Sequence, residues 1–133
     1  MYLLDTNICI YLLKGQYPKL KEKLLSSDPS SLFISSVTVF ELEYGAAKSK
    51  WAERTRIQLA LFLAPFTILP FDADDAVAAG RLRGELAARG KLIGPYDIQI
   101  AAQALSRHLT VVTHNVDEFK RVPDLDVEDW TEE

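Results

Sequence analysis

Four short apolar runs, separated by longer stretches with helical spacing, dominate the hydrophobic pattern of the chain. The apolar runs resemble β-strands and lie at residues 2–4, 32–35, 67–71 and 110–113. Between them, apolar residues recur three and four positions apart, as they do in amphipathic helices. The predicted helical tracts cover residues 7–15, 17–27, 37–50, 51–64, 72–90 and 97–109. Short strands that alternate with helices predict an α/β sandwich around a mainly parallel sheet.

The pattern contains no repeat, no low-complexity tract and no linker, so we expect a single domain over residues 1–133. Hydrophobic residues make up 48% of the chain and charged residues 26%, which is typical of a globular protein. No apolar run approaches the roughly 20 residues that cross a bilayer, and the N-terminus lacks the pattern of an export signal. A cytoplasmic protein without a membrane partner is therefore expected.

The net charge of −4 is unevenly distributed along the chain. The last ten residues, "DLDVEDWTEE", hold six acids and no base, which leaves 15 basic and 13 acidic residues in the rest. The acidic sum therefore does not exclude a nucleic acid as a partner, because the body of the chain is mildly basic.

Polar residues follow three of the four predicted strands. Asp5 follows the first strand, Ser35 and Ser36 close the second, and the segment "THNVDE" at 113–118 follows the last. In open parallel sheets, ligands gather beyond the carboxyl ends of the strands, where loops and helix N-termini converge. We therefore expect these residues at one edge of the sheet.

Three carboxylates are candidates for a site at that edge, although each also has a structural explanation. Asp5 is a favoured helix cap, and Asp97 could cap the helix that follows the turn signal at Gly94 and Pro95. A helix that starts at Ser36 could turn Glu41 toward Asp5, but helical spacing alone does not choose between Glu41 and Glu43. Asn115, Asp117 and Glu118 lie just past the last strand.

Several acids in one pocket repel each other unless a cation is present. Mg²⁺ or Mn²⁺ takes carboxylate and water oxygens, and such an ion can activate water and stabilise the charge on a phosphodiester. The pattern therefore predicts metal-assisted hydrolysis of nucleic acid. Other classes are weaker, because the chain has no P-loop, no G-x-S-x-G elbow, and too few histidines and cysteines for a zinc site. His114 lies near the predicted site and could contact the substrate.

Four segments of the chain, in order, resemble the PIN-domain ribonucleases, and more narrowly the VapC toxins of bacterial VapBC toxin–antitoxin modules. The segments are "LLDTNICIYLLKG", "SSVTVFELEYGAAKS", "GKLIGPYDIQIAAQAL" and "VVTHNVDEFKRVPDLDVEDW". The resemblance covers essentially the whole chain and implies a three-layer α/β/α sandwich.

The resemblance also implies roles for particular residues. Asp5 and Asp97 would be the principal metal-binding acids, and Glu41 a third member of the catalytic cluster, since the pattern E-L-x-x-G selects it over Glu43. At the fourth position, Asp117 would be the carboxylate. The implied supporting residues are Thr6 and Asn7, which would shape the turn after the first strand, and Asn115, which could hold a carboxylate or water.

For function, the resemblance implies a Mg²⁺-dependent endoribonuclease toxin, with Mn²⁺ as a possible substitute. Close relatives cleave structured RNA, notably initiator tRNA in its anticodon stem-loop, and so inhibit translation. A VapB-type antitoxin would lay its C-terminal segment into a groove of the toxin, in homodimers and toxin–antitoxin hetero-oligomers. The sequence leaves two alternatives: a PIN-fold RNA-binding module without catalysis, which the three intact acids disfavour, and a metal-dependent DNA nuclease.

Overall fold

The computed structural model of the chain describes residues 1–132, and it contains one sheet with helices on both sides. The five strands are β1 (Tyr2–Leu4), β2 (Leu32–Ser35), β3 (Thr67–Leu69), β4 (Thr110–Val112) and β5 (Val127–Glu128). The seven α-helices are α1 (Thr6–Leu13), α2 (Pro18–Leu25), α3 (Ser36–Ala47), α4 (Ala52–Leu63), α5 (Ala73–Ala88), α6 (Pro95–Arg107) and α7 (Val116–Phe119).

The sheet has the order β3-β2-β1-β4-β5, and all four strand pairs are parallel. Successive residues of a strand face opposite sides of a sheet, so each central strand feeds two cores. Leu3 and Val111 pack with α5 and α6 on one side, whereas Leu4 and Val112 pack with α1, α2 and α4 on the other. The predicted α/β/α sandwich with a mainly parallel sheet is confirmed.

Two short elements of the structure are absent from the sequence prediction. Strand β5 has only two residues and helix α7 only four, so neither is long enough to show a hydrophobic period. The segment that contains them is nevertheless fixed against the two cores, because Phe119 of α7 and Trp130, two residues after β5, are both almost inaccessible.

Helix α6 begins two residues earlier than predicted, at Pro95. Proline suits the first position of a helix, because its missing N–H has no partner there and its φ is already helical. Gly94 is the N-cap residue and makes no side-chain capping bond. Asp97 therefore lies inside the first turn of α6 and does not cap it.

After β1, the chain forms β2 and then β3 on one side of that strand. It then crosses over and forms β4 on the other side of β1. Such a reversal of strand order opens a crevice at the carboxyl ends of the strands, which is where open α/β sheets bind ligands. None of the helices described in residues 1–132 has the length and apolar character needed to span a membrane.

Candidate active site

Asp5 follows β1 at the crevice and is almost completely buried. It is the N-cap of α1, and its Oδ1 accepts a hydrogen bond from the backbone N–H of Ile8 at 2.9 Å. Burial, together with the charges of Glu41 and Asp129, raises the pKa of Asp5 to about 6, although hydrogen bonds from Thr113 and Ile8 oppose the rise. Capping therefore involves only one oxygen of this carboxyl group, and the group is also repelled by the charges of two neighbouring acids.

Glu41 lies on α3 and faces α1. The hydroxyl of Thr6 donates to Glu41 Oε1 at 2.6 Å and lies 3.1 Å from the hydroxyl of the buried Thr38. Glu43, two residues further along the helix, is exposed. The helical phase thus directs Glu41 toward Asp5, and the predicted supporting residue Thr6 orients it. Asn7 is exposed and lines a groove between α1, α3 and α4 that adjoins Glu41.

Asp97 is half-buried in the first turn of α6. Burial and the charges of Glu118, Asp5 and Glu41 raise the pKa of Asp97 to about 7. The side chains of Asp97 and Glu118 interact directly, and this interaction raises the pKa of Asp97 and lowers the pKa of Glu118. The structure therefore brings Asp5, Glu41 and Asp97 within electrostatic range of one another.

Glu118, and not Asp117, is the acid that α7 brings to Asp97. Asp117 is exposed to solvent. The backbone N–H of Gly94 donates to Glu118 Oε1 at 2.9 Å, and this hydrogen bond holds the pKa of Glu118 below its usual range. Asn115 donates from its side-chain amide to the other oxygen of Glu118.

Asp117 was predicted as the fourth acid from the family resemblance, which does not reveal the short helix α7 or the side to which each of its acids points. A signal for Glu118 does exist: Asn115 and Glu118 have the N-cap to N3 spacing at which side chains interact across the first turn of a helix. Two hydrogen-bond donors, the backbone N–H of Gly94 and the side-chain amide of Asn115, hold Glu118 in place.

Asp129 is a second residue that sequence reasoning missed. It follows β5, and only 10% of its side chain is exposed. Its charge contributes to the raised pKa of Asp5, after burial and the charge of Glu41. The rule that polar residues at strand ends share one edge would have included Asp129, had the two-residue strand been recognised in the acidic tail.

The carboxylates form a site that favours a hard divalent cation. The available donor atoms are carboxylate oxygens, and burial together with mutual repulsion raises the pKa values of Asp5 and Asp97. Within residues 1–132, no three His, Cys, Asp or Glu side chains lie close enough to chelate one ion. Mg²⁺ needs only one or two protein carboxylates and keeps several waters, so the donor set fits it without a third ligand.

Acids gathered at the switch point of a parallel sheet suit a metal-dependent nuclease, and comparison with known proteins identifies the family. The PIN domain model matches residues 2–125. The chain is 41% identical to the tRNA(fMet)-specific endonuclease VapC of Salmonella typhimurium over 97% of both chains, and 39% identical to Ribonuclease VapC2 of Rickettsia felis over 98% of both.

Solved structures that resemble this chain likewise include VapBC structures. A complex of VapBC2 from Rickettsia felis with promoter DNA contains a chain that superimposes with a TM-score of 0.89 at 38% identity, covering 97% of this chain and 98% of that one. DNA-bound VapBC from Salmonella typhimurium gives a TM-score of 0.88 at 41% identity, with 97% of both chains covered. The chain belongs to the PIN-domain family and, within it, to the VapC ribonucleases.

Proposed function

We propose that this protein is a Mg²⁺-dependent endoribonuclease toxin of a VapBC module that inhibits translation in the cytoplasm by cutting RNA. The observation that carries the proposal is the gathering of Asp5, Glu41, Asp97 and Glu118 at the switch point of the sheet. Initiator tRNA is the leading candidate substrate, because relatives of about 41% identity over nearly the full chain are named for it.

In the proposed reaction, a water oxygen attacks the phosphorus, the bond from phosphorus to the 3′ oxygen breaks, and the leaving oxygen gains a proton. A bound divalent cation would lower the pKa of the water and stabilise the charge that develops on the phosphate. Asp5 and Asp97 would hold that cation. Thr6 keeps Glu41 oriented toward the same space, and Asn115 and Gly94 keep Glu118 beside Asp97.

The proposed antitoxin site is the groove between α1, α3 and α4, with a volume of about 810 Å³. It opens beside Glu41 and carries exposed apolar rings, of which Phe40 and Tyr96 contact each other with ring centroids 5.6 Å apart. We propose that a VapB-type antitoxin lays its C-terminal segment here and inserts a basic side chain among the acids, within homodimers and toxin–antitoxin hetero-oligomers. Similar solved chains come from VapBC structures.

The activity is tested by incubating the purified protein with initiator tRNA and Mg²⁺ and resolving the products on a denaturing gel. We expect cleavage within the anticodon stem-loop, loss of cleavage with EDTA, and recovery when Mg²⁺ or Mn²⁺ is restored. Asp5→Asn serves as the inactive control. If total cellular RNA stays intact with both metals, the ribonuclease proposal is wrong; cleavage of other RNAs alone would overturn only the initiator tRNA assignment.

A matched pair of substitutions on α7 tests the assignment of the fourth acid. We expect Glu118→Gln to lower the cleavage rate roughly 10- to 100-fold, because it removes a charge that contacts a proposed metal ligand. Asp117→Asn, which removes an exposed charge one residue away, should cleave at nearly the wild-type rate. Single-turnover rates on the same RNA would decide between them. A loss confined to Asp117→Asn would return the fourth position to Asp117.

A further inference from the structure

Three aromatic rings from separate parts of the chain meet beside the carboxylate site. Tyr11 lies on α1, Tyr17 on the connection to α2, and His114 just after β4. The ring centroids of Tyr11 and Tyr17 are 4.9 Å apart in an edge-on arrangement, and His114 lies 5.4 Å from Tyr17 and 6.1 Å from Tyr11. We call these three residues the aromatic cluster.

The imidazole of His114 is held in one orientation. Its Nδ1 lies 3.1 Å from Asp129 Oδ2 and 2.9 Å from the hydroxyl of Thr131, which itself donates to Asp129. Both neighbours therefore act as acceptors, so Nδ1 carries a hydrogen and donates to them. The side chain is 43% exposed even though it is fixed in this way.

Tyr17 adopts a backbone conformation that tyrosine rarely takes. Its φ is 56° and its ψ is 83°, in the left-handed region, where a bulky side chain is unfavourable. The ring packs against Tyr11, and 37% of Tyr17 remains exposed. Strain of this kind is concentrated at functional sites, where the surrounding structure maintains it. Core packing alone does not explain a half-exposed ring that is held in a strained backbone conformation.

The aromatic cluster and the carboxylate site share their supporting residues. Thr113, which hydrogen-bonds to Asp5, directly precedes His114 in the chain. Asp129, which orients His114, also acts electrostatically on Asp5. A phosphate bound at the carboxylates would therefore place the adjoining nucleotide next to the three rings.

We propose that Tyr11, Tyr17 and His114 form a stacking surface for an unpaired nucleobase of RNA next to the scissile phosphate. The inference rests on the proposed function and assigns a binding role to residues outside the acidic cluster. Single-stranded RNA is recognised largely by stacking of splayed bases on tyrosine and histidine rings. The charge of Asp129 beside the rings disfavours a phosphate there but tolerates an uncharged base. The partly exposed ring of His114 also offers its Nε2 to a polar group of a base or a ribose.

A binding experiment tests the proposal independently of cleavage. The Asp97→Asn protein is mixed, in the presence of Mn²⁺, with hairpin RNAs that carry 2-aminopurine at each loop position in turn. We expect the fluorescence of one or two positions to be quenched by stacking. Adding Tyr17→Leu, which keeps an apolar side chain but removes the ring, should abolish the quenching and weaken binding roughly 5- to 100-fold. Trp51→Leu, which removes an exposed ring outside the cluster, is the matched control.

Cleavage kinetics supply the second test, with RNAs that are abasic at the quenched position. The abasic change should raise KM for the wild-type protein and change it little for Tyr17→Leu, because the two changes remove the same contact. Independent effects of the two changes would overturn the stacking surface even if RNA is cleaved normally. If 2-aminopurine fluorescence is quenched but the wild-type protein cleaves no RNA, only the ribonuclease proposal is overturned. Unchanged RNA binding with weaker antitoxin binding by Tyr17→Leu would assign the rings to the protein partner instead.

Discussion

Asp97→Asn should lower the rate of RNA cleavage by roughly 100-fold or more and at the same time stabilise the metal-free protein near pH 8. The loss of activity follows from the removal of a carboxylate that we propose to bind the metal. The gain in stability follows from electrostatics, because an ionised Asp97 is partly buried beside the charges of Glu118, Asp5 and Glu41. The amide of asparagine carries no charge and can donate the hydrogen bond to Glu118 at every pH.

The sign of the pH dependence follows from the pKa values. In the folded protein, the pKa of Asp5 rises from 3.8 to about 6 and that of Asp97 from 3.8 to about 7. The folded state therefore binds their protons more tightly than the unfolded state. Their favourable contribution is complete below about pH 4 and is lost as the pH rises through the folded pKa values. The wild-type protein without metal should therefore lose stability between pH 4 and pH 8.

Chemical denaturation with EDTA present, at several pH values, measures this effect. We expect Asp97→Asn to exceed the wild type by about 1 to 2 kcal/mol at pH 8, a value reduced for solvent screening of a half-buried group, and by little at pH 4. Saturating Mg²⁺ should stabilise the wild type more than the variant. A variant that is less stable than the wild type at pH 8, or that cleaves RNA normally, would contradict the assignment of Asp97.

Arg107→Met should have the largest effect on stability away from the site. Arg107, at the end of α6, forms two hydrogen bonds with Asp75, which is buried in the first turn of α5. Asp75 also completes a capping box with Asp72, in which each side chain accepts from the other's backbone N–H at 2.9 Å. Burial would raise the pKa of Asp75, but the hydrogen bonds and charge of Arg107 outweigh it, so the pKa is held below its usual range.

Removal of Arg107 would leave the Asp75 carboxylate buried without a counter-charge, which should cost about 3 kcal/mol and lower Tm by roughly 10 °C at pH 7. In the wild type, the stability due to ionised Asp75 is present above its unfolded pKa and is lost as the pH falls through the lower folded value. In Arg107→Met, Asp75 can protonate, so the difference between the two proteins should narrow toward pH 3.

Calorimetry at pH 7 and at pH 4 would measure both effects. Arg81→Met is the matched control, since Arg81 is an exposed arginine on α5 and its removal should change stability by less than about 0.5 kcal/mol. Equal effects of the two substitutions would show that the buried ion pair does not stabilise the contact between α5 and α6. The RNA cleavage rate of Arg107→Met at a temperature where it is folded should match that of the wild type.

Helices with a clear hydrophobic period, and the short apolar strands between them, were predictable from the sequence. Strands β1, β2 and β4 were predicted to within one residue at their ends, and β3 is shorter than predicted because it ends before Pro70. The alternation of strands with helices also predicted the parallel sheet. Strand β5 and helix α7 escaped prediction, because elements of two and four residues contain only about one period of side-chain pattern, which is too little to show a repeat.

The sequence by itself determined the class of fold and the edge of the sheet at which the polar residues gather, because strand-end position and residue chemistry are local properties of the chain; its choice of site acids stays a prediction. Only the tertiary structure decided that Asp5 is a helix cap with acidic neighbours, that Asp97 is not a cap, and that Glu118, rather than Asp117, lies beside Asp97. These distinctions depend on helical phase, burial and the charges of residues distant in sequence. Those quantities arise only when β1, β4, α6 and α7 are packed together.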